Sequence, residues 1–365
     1  MLFPYHYTPH PMEIMHHYVG YIFEEVWCKA EPEKPYDIET LFSGMPELKE
    51  MIRELHYQEN KSANDFMEPL QSLLESFKML DAEQKQQFKD WFALNNNIRQ
   101  LCEHGDQCLP ATYDRIENTF PEDRFPGLIK ALKRFYKNLY SHRFLTLKSV
   151  QERIGAIDDH NDRFTRINSR DVCPFCGLSG MLNRYHSKRD AYDHYFPKDK
   201  YPFNSINFLN LVPACHHCNS SYKLAKDPLK TPRKVFFPFT AKNNAIELSV
   251  TLNTTDWENL VPDHIAIEYG PETIAREIDT WHDLYGIDER YRVECSSKGA
   301  GKAWLTEVFD EWKHLGGDPG CYLSRLELHC KKDPYIEKRF LKKAFLEGCH
   351  RAGLFPPVST EKSTL

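Results

Sequence analysis

Long apolar runs are missing from this chain. Nothing approaches the ~18 consecutive apolar residues of a membrane span, and the opening MLFPYHYTPHP lacks the basic start and apolar stretch of a secretory leader. A cytoplasmic protein with no membrane partner is therefore expected. Charge of one sign is also lacking, since 47 Lys and Arg stand against 53 Asp and Glu for a net charge of −6. That argues against coating nucleic acid by bulk charge but leaves room for a local basic site. There is no internal repeat and no low-complexity segment. A phosphate-binding loop is absent too: SSKGAGKAW, Ser296 to Trp304, would need Gly at Ser296 and Ser or Thr at Ala303. It reads as a loop opening a helix.

Cysteine, by contrast, is plentiful, with 11 residues. In a reducing compartment they are expected as thiols or metal ligands rather than disulfides. Seven of them (Cys28, Cys102, Cys108, Cys295, Cys321, Cys330, Cys349) show no clustered ligand spacing and read mostly as small buried hydrophobes.

At 365 residues the chain suggests two or three domains. Residues 1–150 carry helical periodicity, as in Leu70, Leu73, Leu74 and Phe77, with Asp81 and Gln84 as a helix start. Leu128, Leu132, Phe135, Tyr136 and Leu139 form another stripe, backed by Lys130, Lys133, Arg134 and Lys137. That basic side reads first as a solvated face and second as an approach surface for DNA. From 151 to 239 the periodicity fades and Cys, His, Asn, Pro and Tyr accumulate. In 240–365, Leu248, Val250 and Leu252 alternate as in a half-buried strand, Ile265, Ile267 and Tyr269 suggest a second, and helices follow, the last over Tyr335 to Cys349 with a frayed tail from Pro356. The expected fold class is α+β.

The chemistry gathers in the central segment. VCPFCG, Val172 to Gly177, could be half of a redox dithiol or half of a metal clamp. A second C-x2-C, Cys215 and Cys218, follows Cys173 and Cys176 after 38 residues. Four thiolates in two knuckles suit a closed tetrahedral zinc site, whereas a redox reading leaves the second pair idle. Between the knuckles stand Asp193-His194 and Asn210, and Asn219 follows Cys218 directly. Carboxylate and carboxamide oxygens suit a hard ion such as Mg²⁺ or Mn²⁺, and histidine is the side chain suited to take a proton near neutral pH. Two other Asp-His pairs, Asp159-His160 and Asp263-His264, lack that setting and read as structural. From Arg184 to Lys234 ten Lys and Arg oppose four Asp, a surplus of six positive charges within an acidic chain.

C-P-F-C-G at Cys173 to Gly177, D-H-Y-F-P at Asp193 to Pro197, N-L-V-P at Asn210 to Pro213 and C-H-H-C-N-S-S-Y-K at Cys215 to Lys223 together resemble the HNH endonucleases of the ββα-metal class, in the subgroup stapled by a four-cysteine zinc. The resemblance covers about a quarter of the chain. It implies a ββα core with structural zinc, Asp193 and Asn219 as ligands of a catalytic divalent ion, His194 as general base and Asn210 as the asparagine pinning the two strands. Cleavage of DNA would leave a 5′ phosphate and a 3′ hydroxyl. Lys223, Lys226 and His217 are the expected phosphate contacts, with His216 beside them. The segment TWHDLYGIDERYR, Thr280 to Arg292, further resembles Septu-like and retron-associated nucleases of anti-phage defence, which work beside an ATPase. A lone HNH site makes one nick, so double-strand breaks would call for a dimer or a complex. The competing expectations are a noncatalytic zinc module that binds nucleic acid or organises a complex, and a stand-alone restriction enzyme.

Overall fold

The structure, a computed structural model, describes residues 1–58, 60–169, 171–230, 233–241, 246–315 and 318–355; the tail expected from Pro356 lies outside the described residues. About 56% of the chain is helical, with two small antiparallel sheets, which makes the fold α+β. The residues group into two compact units, and the stretch 151–239 contributes to both.

One unit comprises Tyr5–Asp171 and Leu182–Ala241. Its helices include Glu13–Tyr21, continued by a wider π turn over Ile22–Trp27, then Lys61–Lys78, Ala82–Asn96 and Leu128–Leu139. Asp81 and Gln84 form a reciprocal capping box at the start of Ala82–Asn96, satisfying two backbone N–H groups left over at the helix end. The apolar stripes meet in one core where Phe23 stacks on Phe92 at 4.2 Å and Trp27 donates its indole N–H to the Leu70 carbonyl at 3.1 Å. Each such side chain stabilises by about 1.5–3 kcal/mol through burial alone. The core continues into Tyr192, Phe203, Ile206, Phe208 and Leu211, so the helices are the platform on which the central segment rests.

The basic side of Leu128–Leu139 is largely neutralised. Arg134 pairs with Asp65 and Glu68, Lys133 with Glu117 and Lys137 with Asp199. Helical structure also persists further than the periodicity suggests, through Lys148–Ile154 and Ile157–Ile167. Asp159-His160 sits inside that last helix, where polar residues on the outer face mask the apolar pattern.

The same unit holds strands β1 (Tyr192–His194) and β2 (Leu211–Pro213), paired antiparallel with Asp193 opposite Val212. A π-helical turn over His217–Lys223 follows, giving a strand, strand, helix order.

The other unit contains Met1–Pro4, Val172–Met181 and residues 246–355. Here β3 (Glu247–Leu252) and β4 (Ile265–Gly270) pair over six positions, and Asp263-His264 lies in the turn entering β4. Helix Arg339–Arg351 crosses β3 so closely that a Cβ on Gly348 would stand 2.3 Å from the Val250 carbonyl oxygen, which only glycine permits. The last helix starts at Arg339 rather than Tyr335, because Glu337 and Lys338 take left-handed φ values of 54° and 56° and break the helical run.

Candidate active site and metal centre

Cys173, Cys176, Cys215 and Cys218 are all buried, and their sulfurs lie within 4.8 Å of one another. The first pair sits in a tight turn: the Cys173 amide donates to the Ser179 carbonyl at 2.9 Å, and the Gly177 amide donates back to the Cys173 carbonyl at 2.8 Å. Gly177 has φ 65°, and a Cβ there would meet Leu2 Cδ1 at 2.5 Å. The second pair opens the His217–Lys223 turn, where the Cys215 carbonyl accepts from the Asn219 amide at 3.0 Å. Four buried sulfurs leave no open coordination position, which is the donor set of a structural rather than a catalytic zinc.

The first knuckle has supports that reading the sequence missed. Trp281 donates its indole N–H to the Phe175 carbonyl at 2.6 Å, Tyr291 its hydroxyl to the Cys176 carbonyl at 2.9 Å, and the Tyr285 ring stacks on Phe175 at 4.7 Å. All three belong to the Thr280–Arg292 segment, so its aromatic spacing serves to hold the C-P-F-C turn. The spacing was visible; its target, some hundred residues upstream, was not.

Asp193 and His194 stand side by side on β1, a strand buried on both faces at its first two positions. Asn210 ties the end of that strand down. Its Oδ1 accepts from the Phe196 amide at 2.7 Å, its Nδ2 donates to the Phe196 carbonyl at 3.0 Å, and its own carbonyl accepts from the Tyr195 amide at 2.9 Å. His194 Nε2 lies 2.9 Å from the Ser205 carbonyl oxygen. A carbonyl can only accept, so Nε2 carries the proton and Nδ1 keeps the lone pair. Burial, reinforced by the positive charge of Lys198, pushes the imidazole down to about 3, which keeps it neutral at ordinary pH.

Ser205 is itself held from the helical platform. Asn204 donates to the Asn95 carbonyl at 3.3 Å and Asn207 to the Asn96 carbonyl at 3.0 Å, while the Asn95 amide reaches the Pro202 carbonyl at 3.0 Å. These asparagines escaped notice in the sequence because each acts through a partner about a hundred positions away. On the other side of β1, His160 Nδ1 meets the Tyr192 hydroxyl at 2.7 Å and its Nε2 the Thr8 carbonyl at 3.0 Å.

Lys223 corrects an expectation. Its side chain is fully buried, with Nζ 2.9 Å from Asp193 Oδ1 and 2.9 Å from the His194 carbonyl oxygen. It is therefore an internal counter-ion and not a surface contact for phosphate. The helical twist turns it inward, while His216, His217 and Lys226 remain exposed.

The second oxygen of Asp193 is buried without a hydrogen-bond partner. An uncompensated carboxylate oxygen is costly to bury, and a divalent cation would relieve that cost. Burial raises the Asp193 carboxyl while Lys223 opposes the shift. Asn219, half-buried, donates Nδ2 to the Ala191 carbonyl at 3.4 Å, next to β1, which orients its amide oxygen as a remaining donor atom. Asp193 Oδ2 and the Asn219 amide oxygen are of the oxygen type a hard cation takes, and a lysine already occupies the other carboxylate oxygen.

Among the described residues no helix is long and apolar enough to cross a membrane. No family model and no solved structure matches the chain. A 57-residue stretch is 37% identical to protein ea31 of Escherichia phage lambda, covering 16% of this chain and 17% of that protein. The chain carries a buried four-cysteine cluster able to hold a structural metal such as zinc.

Proposed function

We propose that the chain is a metal-dependent endonuclease of the HNH kind that hydrolyses DNA phosphodiester bonds. The observation that carries this reading is the His194 imidazole, whose Nε2 is committed to the Ser205 carbonyl so that Nδ1 is left as a proton acceptor on a pinned strand beside Asp193. His194 takes the proton of the attacking water through Nδ1. Asp193 and Asn219 hold a divalent ion, Mg²⁺ or Mn²⁺, which when bound supplies stabilisation of charge on the phosphate and on the leaving 3′ oxygen. Asn210 keeps β1 in place during the reaction, and the four thiolates keep the second knuckle, and with it Asn219, in place through zinc. The motif resemblance and the Thr280–Arg292 segment support an effector role in anti-phage defence, beside an ATPase and in a dimer or larger complex.

One observation favours a second reading. Lys223 already neutralises part of the Asp193 carboxylate, as a noncatalytic zinc module that binds nucleic acid or organises a complex would allow. Cleavage of supercoiled plasmid with Mg²⁺ or Mn²⁺ separates the two. Nicking that disappears with EDTA and falls by about 10³-fold in His194→Ala, within the range for loss of a general base, supports the nuclease. Intact plasmid with every divalent ion, and no Mn²⁺ uptake by calorimetry beyond the zinc, supports the module.

A further inference from the structure

A nuclease needs a cation at the phosphate it attacks, and several cations of this unit are already committed. Lys223 is sealed against Asp193, Lys200 pairs with Asp227, Arg189 with Asp158 at 2.8 Å and Lys137 with Asp199 at 2.7 Å. Lys198 is different. It is half-buried, it lies in the turn that closes the D-H-Y-F-P run, and no ion pair to it occurs among the described residues. Its neighbour Asp199, the nearest carboxylate in sequence, is the one held by Lys137.

What Lys198 does touch is an aromatic ring. Its Nζ stands 5.5 Å from the centre of the Tyr140 ring, and the same ring meets His194 edge to face at 4.6 Å. A cation over an aromatic face is held by the ring's quadrupole while its N–H groups stay available to an anion. Tyr140 therefore carries ammonium and imidazole on one ring, with the ammonium left available to an anion.

We propose that Lys198 is the phosphate-contacting cation of this site, aimed by Tyr140, so that it meets the scissile phosphate whose attacking water His194 deprotonates. The proposal rests on the nuclease reading and deepens it by naming the residue that binds the substrate's charge. Lys223, one of the two lysines that the sequence favoured for this task beside Lys226, is excluded by its burial.

The test compares wild type, Lys198→Met, Lys198→Arg and the surface control Lys34→Gln, an exposed lysine paired with Glu31, in two assays. One is plasmid nicking; the other is anisotropy of a labelled duplex oligonucleotide in EDTA across a salt series. Methionine keeps the stem that covers Tyr140, and circular dichroism melting confirms that each variant folds. Expected is a loss of nicking of about 10²-fold in Lys198→Met, as for removal of one donor to developing charge, with recovery to within about tenfold in Lys198→Arg. Oligonucleotide binding should weaken severalfold, with the slope of log K against log salt reduced by about one. Lys34→Gln should match wild type. Lys198→Met that nicks within twofold of wild type and keeps its salt slope overturns the proposal. If wild type binds but never nicks, the nuclease reading fails, and the slope alone then decides whether Lys198 contacts phosphate. A wild type that neither nicks nor binds overturns both.

Discussion

The two small sheets are built on opposite plans. β3 and β4 pair over six positions, and along β3 exposed or half-exposed residues give way to buried Val250 and Leu252. That sheet needs only its ladder and one apolar face. β1 and β2 pair over three positions, and five of their six residues are buried. Three residue pairs are too few to hold a ladder alone, so side chains do it: Asn210 on the Phe196 backbone, Lys223 on Asp193, His160 on Tyr192 and His194 on the Ser205 carbonyl. A short sheet that presents polar groups depends on polar partners for its integrity, whereas the longer one depends on apolar burial.

That contrast can be broken most severely at the four-cysteine cluster, which is able to hold zinc. Cys215→Ser should lose the bound zinc, measured by elemental analysis, and should lower the melting temperature by more than about 10 °C, since structural zinc sites contribute on the order of 10 kcal/mol. Amide exchange should quicken most in β2, which ends two residues before Cys215. Next comes the buried ion pair. Asp193→Asn or Lys223→Met alone should cost about 3–5 kcal/mol in denaturant melts, because either leaves an uncompensated buried group, and the double variant should regain much of the loss. Equal effects of the double and single variants would mean that the pair does not hold the strand.

Acid should then separate the sheets. His160 is pushed down to about 4 by burial, against an ordinary value near 6.5. The unfolded chain therefore takes up the proton first, so stability present above pH 6.5 should fall steadily down to about pH 4, by roughly 3 kcal/mol at most. His160→Gln should make that part of the profile shallower, the remaining slope coming from His194 and His16, which burial also pushes down. Asn210→Ala should cost about 2–3 kcal/mol, since it orphans the Phe196 amide and carbonyl. The smallest change belongs to the other sheet: Thr251→Ala, at an exposed position of β3, should stay within about 0.5 kcal/mol of wild type.

Features written in local spacing were legible beforehand. Alternation at Leu248, Val250 and Leu252 announced β3, the Asp81 and Gln84 pair announced its helix, and two C-x2-C knuckles announced the cysteine cluster. The helix over Ile157–Ile167 was harder, because only His160 and Phe164 of its residues are buried. In the site, the residue types between and just after the knuckles drew attention to Asp193, His194, Asn210 and Asn219. Their partners stayed hidden, since Ser205 acts through a backbone carbonyl that any residue could offer and Asn95 through contacts across the fold.

By itself the sequence determined which thiols, carboxylate and imidazole are on hand, because thiols two residues apart and an Asp-His pair on an extended run are local patterns. Only the tertiary structure decided which way each long side chain points. Lysines 198 and 223 carry the same charge in the same basic segment, yet burial seals one against a carboxylate and leaves the other on an aromatic ring. Burying a charge is tolerable only with a partner in place, and partners are assigned by the fold.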